Sequence, residues 1–367
     1  MIRLRTIIFG YDWFLAIVVF ILTAIGIAAI YSIDLSRGET LIYFPTQVIA
    51  SALGLGIMGI SGVIHKTRYA SSARVLYMVG LLLLMGVLLF GTSIRGTRGW
   101  FRIAGFSFQP AEFAKVALVL LLGWWMSKQG RRFDKWEYVL SSGLAAGFYV
   151  GLIMLQPDLG SASVLLGVWF LLLLVSRVKK RYIFGFIGIG LVVVIFAWFF
   201  LFKTYQKERV LNFVDPGRDP LGDGYNVTQS LIAVGSGQWW GRGLGSGSQS
   251  QLHFLPEAQT DFIVAVIGEE LGFVGIILLL GMYYLLMWRL VVIARDSNDD
   301  FSAYTVMGVL FVFGIQMVVN IGGATGLLPV TGVTLPFVSY GGSSLIMNYF
   351  LIGIAMAIYR SNQGKEC

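Results

Sequence analysis

Long apolar stretches and short polar connections alternate along almost the whole chain. Ten of the apolar stretches are about 17 to 30 residues long, the length that a helix needs to cross a hydrocarbon core of ~30 Å. They lie at about residues 13–31, 43–63, 72–92, 110–127, 137–155, 160–176, 183–202, 262–288, 302–321 and 342–359. The pattern predicts an all-α polytopic membrane protein with ten transmembrane helices, built as a single domain over residues 1–367.

A polar stretch, residues 203–260, separates the seventh apolar stretch from the eighth. We predict a large extracytoplasmic loop between these two spans. Residues 225–233 within it have the pattern of a short amphipathic helix. A glycine-rich tract follows, and its adjacent Trp239 and Trp240 are typical of a lipid–water interface.

Composition and charge agree with a membrane protein. Charged residues make up 13% of the chain, whereas a soluble domain carries about 25%. With both termini in the cytoplasm, the inner segments hold 17 of the 27 Lys and Arg residues and the outer segments hold 9. This bias follows the positive-inside rule. The net charge of +8 is therefore not a sign of nucleic-acid binding, and the 203–260 loop is expected outside the cytoplasmic membrane.

The two ends of the chain add two expectations. The first apolar stretch is too long for the core of a signal peptide, so we expect no cleaved leader. Cys367 is the single cysteine, which excludes an intrachain disulfide and a thiolate metal cluster.

One carboxylate, Asp261, stands where the polar loop meets the eighth span. A charge at the mouth of a span is costly to bury, which makes it a candidate for function. Asp261 or Thr260 could instead cap the helix by accepting hydrogen bonds from its first N–H groups. The sequence leaves both interpretations open.

Other polar residues are expected at the same outer face. Glu112 and Lys115 are three residues apart, so they share a helix face and can pair, either as a structural ion pair or as a cationic cavity lining. Asp158 lies in a short turn, where capping of the next helix is the favoured role. Residues 320–344 carry no charge but are rich in glycine and proline. We predict a re-entrant or broken segment there that forms a wall of the same cavity as Asp261.

Two adjacent carboxylates, Glu269 and Glu270, follow inside the eighth span. They lie eight and nine residues after Asp261, about 12–14 Å deeper along the helix. Two charged, unpaired neighbours are unfavourable there. We therefore expect a structural pairing with a basic residue from elsewhere in the chain.

Five blocks of sequence closely resemble the shape, elongation, division and sporulation family, and the resemblance runs from about residue 13 to 360. They are FSFQPAEFAK (106–115), QPDLGSA (156–162), DPLGDGYNVTQSLIAVGSG (219–237), FLPEAQTDFIVAVIGEELGFVG (254–275) and NIGGATGLLPVTGVTLPFVSYGGSS (320–344). The block GSQSQL (247–252) and Asn348 favour the elongation branch over the division branch. Two positions depart from the family pattern: Arg98 lies one place earlier than its usual arginine, and Gln259 replaces a common histidine.

The resemblance implies a peptidoglycan glycosyltransferase. Members polymerise a lipid-linked disaccharide-pentapeptide, lipid II, into glycan strands at the outer face of the bacterial cytoplasmic membrane. A class B penicillin-binding protein is the implied partner, which cross-links those strands. The essential aspartate of the family maps onto Asp261.

The chemistry of such a reaction fits these residues. An α-linked donor gives a β-1,4 product, so the anomeric centre inverts, which needs a base but no enzymic nucleophile. Asp261 is the candidate base, or alternatively a ligand of Mg²⁺ or Mn²⁺. Positive charge for the pyrophosphate would come from such a cation or from basic side chains, and we expect no organic cofactor. The candidate substrate-binding residues are Lys115, Glu112, Arg209, Arg242, Tyr225, Gln229, Glu257, Asp158, Ser339, Tyr340 and Ser343.

Two other classes of protein compete with the enzyme. Ten spans, a polar cavity and intramembrane charges suit a flippase for the same lipid-linked precursor equally well. It would require polar residues at the midplane, and Glu269 and Glu270 are the main residues that favour it. A non-enzymatic scaffold for the penicillin-binding protein is the third alternative, in which Asp261 would be dispensable.

Overall fold

A computed structural model describes residues 10–36, 41–94, 96–103, 106–129, 135–176, 178–200, 207–208, 211, 213 and 223–363. Within these ranges, each of the ten predicted spans corresponds to one helix, and the eighth of these helices contains a break. They are α1 (Trp13–Leu35), α2 (Tyr43–Val63), α3 (Lys66–Phe90), α4 (Pro110–Gln129), α5 (Trp136–Leu155), α6 (Leu159–Val175), α7 (Lys180–Phe200), α10 (Ile263–Arg295), α11 (Asp300–Ala324) and α12 (Gly342–Gln363).

Eight of these helices in the described part of the chain are long and apolar enough to cross a membrane. The helix α6 is apolar but has 17 residues, and α7 has 21 residues. Two shorter helices, α8 (Asp223–Ser236) and α9 (Ser248–Gln251), lie in the predicted loop. The helix expected at 225–233 is thus confirmed, and the all-α fold class is confirmed as well.

A small antiparallel sheet between α3 and α4 was not predicted. Its strands are β1 (Thr92–Ile94), β2 (Thr97–Ile103) and β3 (Phe106–Phe108), paired in the order β1-β2-β3. Arg98 on β2 donates to the carbonyl oxygens of Leu89 and Gly91, both at 3.0 Å. Because these carbonyls end α3 without helical partners, Arg98 caps that helix.

The end of the bundle that carries Trp13 and Gln363 is here called the proximal end, and the opposite end the distal end. Ion pairs join the helices at the proximal end: Asp12 accepts from Arg289 at 2.5 Å, and Asp299 accepts from Lys66 at 2.5 Å. Burial raises the pKa of Asp299, but hydrogen bonds from Lys66 and Ser302 outweigh that effect and lower the pKa below its ordinary value.

Close helix contacts are made where one partner has a glycine, as expected inside a membrane. A Cβ on Gly54 of α2 would lie 2.2 Å from the ring of Tyr349 on α12. Between α4 and α11, a Cβ on Gly123 would lie 2.3 Å from the hydroxyl of Thr305. The helix α4, which is mostly buried, occupies the centre of the bundle and carries Glu112 and Lys115.

The helix α10 is broken at Gly272, where the backbone adopts φ 66° and ψ −163°. Such dihedral angles are available almost only to glycine. Residues 273–295 alone extend about 34 Å at 1.5 Å per residue, enough to cross a membrane core. Residues 263–271 form a separate short helix, whose Glu270 contacts Ser32 near the distal end of α1. The continuous span expected at 262–288 is therefore divided.

Candidate active site

Asp261 lies at the distal end, two residues before the first residue of the short helix 263–271. Its backbone N–H donates to the carbonyl oxygen of Glu257 at 3.1 Å. Its own carbonyl oxygen accepts from the side-chain amide of Asn320 on α11 at 3.4 Å. Asp261 is half-buried, whereas Gln259 and Thr260 beside it are buried. The backbone of this residue is therefore tied both to the loop before it and to α11.

The uncharged segment between α11 and α12 packs against the turn before Asp261. The Tyr340 N–H donates to the carbonyl oxygen of Gln259 at 2.8 Å. The hydroxyl of Ser339 donates to the carbonyl oxygen of Thr260 at 2.7 Å and accepts from Leu335 N–H at 3.0 Å. The broken segment predicted within 320–344 is confirmed, since residues 325–341 lie between α11 and α12 outside any helix. Its Ser339 and Tyr340 hold the backbone that presents the carboxylate. A cavity that this segment shares with Asp261 stays a prediction.

Glu257 shares this turn and lines a polar cavity of about 260 Å³. One of its carboxylate oxygens accepts from the side chains of Gln259 and Thr260, both at 3.3 Å. The cavity is also lined by Ile33, Ser250, His253, Leu255, Pro256, Ala258 and Gln259. The turn that leads to Asp261 thus forms one wall of a polar cavity at the distal end.

Glu112 and Lys115 form the ion pair that their spacing predicts. The Lys115 ammonium lies 2.7 Å from the Glu112 carboxylate, and both side chains are almost fully buried. Burial together with a paired charge agrees with a structural ion pair. A role of Lys115 in binding substrate stays a prediction.

Asp158 caps α6, as favoured from the sequence. Its carboxylate accepts from the N–H and the hydroxyl of Ser161, at 2.9 and 2.8 Å. The Gln109 side chain also donates to it at 3.1 Å, and the N–H of Gln109 donates to the hydroxyl of Ser343 at 3.1 Å. Asp158 and Ser343 are therefore linked through Gln109, at the point where α4, α6 and α12 begin.

The remaining candidates lie on the 203–260 segment. Tyr225 and Gln229 are both half-buried on α8, and one turn apart they share a helix face. The helix is fixed to the distal end of α11, because the Ser230 hydroxyl donates to the carbonyl oxygen of Ala324 at 2.6 Å. The Arg242 guanidinium is exposed and donates to the carbonyl oxygen of Ser236 and the hydroxyl of Ser248. Arg209 lies outside the residues that the structure describes.

The expectation that Glu269 and Glu270 pair with a basic residue is wrong. In the described part of the chain, their carboxylates accept from backbone N–H groups and hydroxyls of residues 245–250 and Ser32, and from no basic side chain. Oriented N–H groups satisfy both oxygens of Glu269 without a cation, whereas one buried oxygen of Glu270 has no hydrogen-bond partner among the described residues. Contacts with Ser32 near the distal end of α1, and with residues 245–250, place both carboxylates beside the distal loop, so they do not support a flippase.

Two amides that sequence reasoning missed support the site. Gln47 of α2 is fully buried and donates to the carbonyl oxygen of Ser339 at 3.2 Å, while its side-chain oxygen accepts from Gly341 N–H at 3.3 Å. Asn320 donates to the carbonyl oxygen of Val333 at 2.8 Å as well as to Asp261. The signal that could have found Gln47 is a lone amide within an apolar span, since buried amides need partners.

An apolar cavity of about 360 Å³ lies between α1 and α2. Phe20, Ile27 and Tyr31 of α1 line it together with Phe44 and Leu55 of α2, and Tyr349 of α12 closes it. It is lined almost wholly by carbon, in contrast to the polar cavity beside Glu257. The described residues contain no group of three or more His, Cys, Asp or Glu side chains that could hold a metal ion.

A family model matches nearly the whole chain. The chain belongs to the family of FtsW, RodA and SpoVE, described as cell cycle proteins, whose model matches residues 12–364. The resemblance identified from the five sequence blocks is thereby confirmed. Because that model joins all three names, assignment to the elongation branch stays a prediction.

Two relatives of this chain are named as peptidoglycan glycosyltransferases. A probable peptidoglycan glycosyltransferase FtsW of Trichlorobacter lovleyi is 35% identical, over 95% of this chain and 93% of that protein. The peptidoglycan glycosyltransferase MrdB of Escherichia coli K12 is 39% identical, over 84% of this chain and 83% of that protein. A chain of a peptidoglycan synthase complex, solved in work on coordinated polymerization and crosslinking, matches with a TM-score of 0.81 at 34% identity. The match covers 96% of this chain and 98% of that chain.

Proposed function

We propose that this chain is a peptidoglycan glycosyltransferase in which Asp261 activates the acceptor sugar. It joins lipid-linked disaccharide-pentapeptide units into β-1,4 glycan strands. The similar proteins named above support the activity. The observation that carries the site is Asp261 itself, a half-buried carboxylate on a turn that is hydrogen-bonded to α11 and to the segment before α12. A fixed turn beside a polar cavity is what a positioned base requires.

In the reaction, the acceptor hydroxyl oxygen attacks the anomeric carbon of the donor. The bond from that carbon to the pyrophosphate oxygen breaks, and the pyrophosphate leaves with the electron pair. The hydroxyl proton passes to the Asp261 carboxylate and then to water. The anomeric centre inverts in this single displacement, so no covalent sugar–enzyme intermediate forms.

The leaving pyrophosphate needs compensation of its charge more than it needs a proton. Lys115 is buried and paired with Glu112, whereas Arg242 is exposed at the distal end. A Mg²⁺ or Mn²⁺ ion would supply further positive charge. Because Mg²⁺ usually binds through one or two carboxylates plus substrate phosphates and water, Asp261 suits it as a single protein ligand. Base and ligand remain the two alternative roles of Asp261.

The polyprenyl chain of the donor would occupy the apolar cavity between α1 and α2. The helix α1 joins the two cavities, since its Ile33 lines the polar cavity and its Tyr31 lines the apolar one. Donor sugar and lipid tail would then bind to neighbouring parts of one surface. Burial of an alkyl chain contributes about 0.8 kcal/mol per CH₂, which gives the apolar cavity a clear role in affinity.

The same proposal places the protein in a bacterial cytoplasmic membrane, with the distal end outside and both termini in the cytoplasm. A class B penicillin-binding protein is the proposed partner, because it would cross-link the strands that this chain makes. Cell elongation is the proposed process. The charge bias of the loops supports the orientation.

The test uses purified protein in liposomes with lipid II and Mg²⁺, and a β-lactam to block any copurified transpeptidase. Wild type, Asp261→Asn and the control Asp296→Asn would be compared for glycan polymer on gels. Asp296 is an exposed aspartate at the proximal end of α10. We expect polymer from wild type and the control, and a loss of about 10²-fold or more in Asp261→Asn.

Two results would contradict the proposal. Normal polymerisation by folded Asp261→Asn would remove Asp261 from the chemistry. Movement of lipid II between leaflets by the wild type, without any polymer, would favour a flippase. Titration of Mg²⁺ with EDTA, in wild type and in Asp261→Asn, distinguishes the two roles of Asp261. If Asp261 binds the metal, the substitution lowers the affinity of the protein for Mg²⁺. If Asp261 is only a base, that affinity stays the same.

A further inference from the structure

We propose that Glu269 and Glu270 are positioning residues for this reaction. Their carboxylates hold residues 237–251, here called the latch loop, against the break in α10, and so fix the short helix that follows Asp261. The inference rests on the proposed function, because the effect it predicts is on polymerisation. Neither side chain touches substrate in this view, since both are buried.

The carboxylate of Glu269 is held by the α9 end of the latch loop. One oxygen accepts from the Gln249 N–H at 2.8 Å and from the Ser248 hydroxyl at 3.4 Å, and the other accepts from the Ser250 N–H at 3.1 Å. Successive N–H groups around an anion form a nest that favours negative charge. Hydrogen bonds to an ionised acceptor are roughly twice as strong as neutral ones.

The carboxylate of Glu270 holds the middle of the same loop against α1. It accepts from the hydroxyl of Ser32 and from the N–H of Gly245, the latter at 3.3 Å. The side-chain amide of Gln251 donates to the carbonyl oxygen of Ser32 at 2.9 Å. The latch loop is therefore tied to two helices, α10 and α1.

Backbone hydrogen bonds complete the attachment on both sides of Gly272. Before the break, the carbonyl oxygens of Glu269 and Glu270 accept from the N–H groups of Arg242 and Gly243, both at 3.0 Å. After it, the Phe273 N–H donates to the carbonyl oxygen of Gln238 at 2.8 Å. A helix end buried in a membrane protein needs such substitutes for its lost intrahelical partners. The latch loop supplies them.

Two structural connections link the latch loop to the active site. The first is the helix 263–271, about 13 Å long, whose near end is fixed around Asp261 by Asn320 and whose far end is fixed by the latch. Without the far attachment, this helix could pivot at Gly272 and change the direction of Asp261. The second connection is the polar cavity, because Ser250, which donates to Glu269, lines it together with Glu257.

The experiment compares wild type, Glu269→Ala, Glu269→Gln and Ser32→Ala in the liposome assay with lipid II. Glu137→Ala serves as the matched control, since Glu137 is an exposed carboxylate on α5. Cleavage by trypsin after Arg242 provides a readout that is independent of activity. Arg242 is exposed, and it is the only lysine or arginine between residues 223 and 288.

We expect Glu269→Ala to lower kcat by about tenfold or more while KM changes by less than about threefold, because displacement of about 1 Å can cost 10²-fold in rate. Trypsin should cut after Arg242 faster than in wild type. Glu269→Gln keeps one acceptor oxygen, so its kcat and its cleavage rate should lie between those of wild type and Glu269→Ala. Ser32→Ala removes one donor to Glu270 and should show a smaller change in the same direction, even if Glu269→Ala does not fold.

The proposal that Glu269 and Glu270 act as positioning residues is overturned if Glu269→Ala and Ser32→Ala keep the kcat and the trypsin cleavage rate of wild type. It is also overturned if activity falls through KM alone with unchanged cleavage, because Glu269 would then bind substrate directly. Absence of polymer from the wild type would refute the proposed function instead. In that case the cleavage rates still decide whether the carboxylates hold the loop.

Discussion

At the scale of single residues, the distal site is built mainly by side chains that bind backbone atoms. Ser339, Gln47 and Asn320 each donate to a carbonyl oxygen in or beside the segment that holds Asp261. Buried amides and hydroxyls that lose a partner cost about 1–3 kcal/mol each. The direction of the Asp261 backbone is therefore set by several such contacts, which is how a reacting group is preorganised.

The Glu112–Lys115 pair allows its two proposed roles to be separated. Glu112→Gln or Lys115→Met alone leaves one buried charge uncompensated, so we expect either to destabilise the protein by about 3–5 kcal/mol. The double variant Glu112→Gln with Lys115→Met removes both charges and should recover most of that stability. Thermal unfolding in detergent would measure the three variants.

Polymerisation by the double variant then decides the function of Lys115. A purely structural pair predicts that activity returns with stability. A lysine that neutralises the pyrophosphate predicts a stable but inactive protein. If the double variant does not regain stability, the two charges of Glu112 and Lys115 do not stabilise each other as proposed.

At the scale of elements, the break in α10 allows the latch loop to pack directly against that helix. A Cβ at Gly272 would come within 2.3 Å of the Gly241 nitrogen and 2.7 Å of the Trp239 carbonyl oxygen. We expect Gly272→Ala to destabilise the protein by at least about 2 kcal/mol, because positive φ and steric overlap act together. Polymer yield should fall with it, since the latch loop cannot keep its place.

Gly281→Ala in the same helix is the matched control for Gly272→Ala. A Cβ at Gly281 meets no other atom within 4 Å, and alanine is favoured over glycine in a helix interior by about 1 kcal/mol. Its melting temperature should equal or exceed that of wild type. Equal effects of the two substitutions would show that the break at Gly272 is not essential.

At the scale of the whole molecule, chemistry is separated between the two ends of the bundle. The proximal end carries the ion pairs of Asp12 with Arg289 and Lys66 with Asp299. The distal end carries Asp261, the polar cavity and the latch loop. This division supports an enzyme that works at one membrane surface over a transporter, which needs polar groups through the midplane.

Orientation can be measured in cells with a membrane-impermeant thiol reagent. In a Cys367→Ser background, a cysteine at the exposed Trp240 should be labelled from outside, and one at the exposed Arg295 only after lysis. The positive-inside bias of the loops predicts this result. The reverse labelling pattern would contradict the proposed location of the active site.

The ten helices, Asp261 and the broken segment beside it could be predicted because each depends on a local signal. The small sheet could not, since β1 and β3 have three residues each and show no clear alternation. The partners of Glu270 were missed for another reason: Ser32 lies 238 positions away in the sequence. No spacing within one helix reveals such a contact.

The sequence by itself determined that the chain forms apolar helices of membrane-spanning length, which family it belongs to and where a solitary carboxylate meets the end of a span. These follow from hydrophobicity and residue order, which are properties of each stretch alone. Only the tertiary structure decided which partners from distant parts of the chain the carboxylates take. Glu269 and Glu270 meet N–H groups of residues 245–250, and Asp12 meets Arg289. A buried charge takes the partner that the path of the chain brings to it, and for Glu269 and Glu270 that path depends on the break at Gly272.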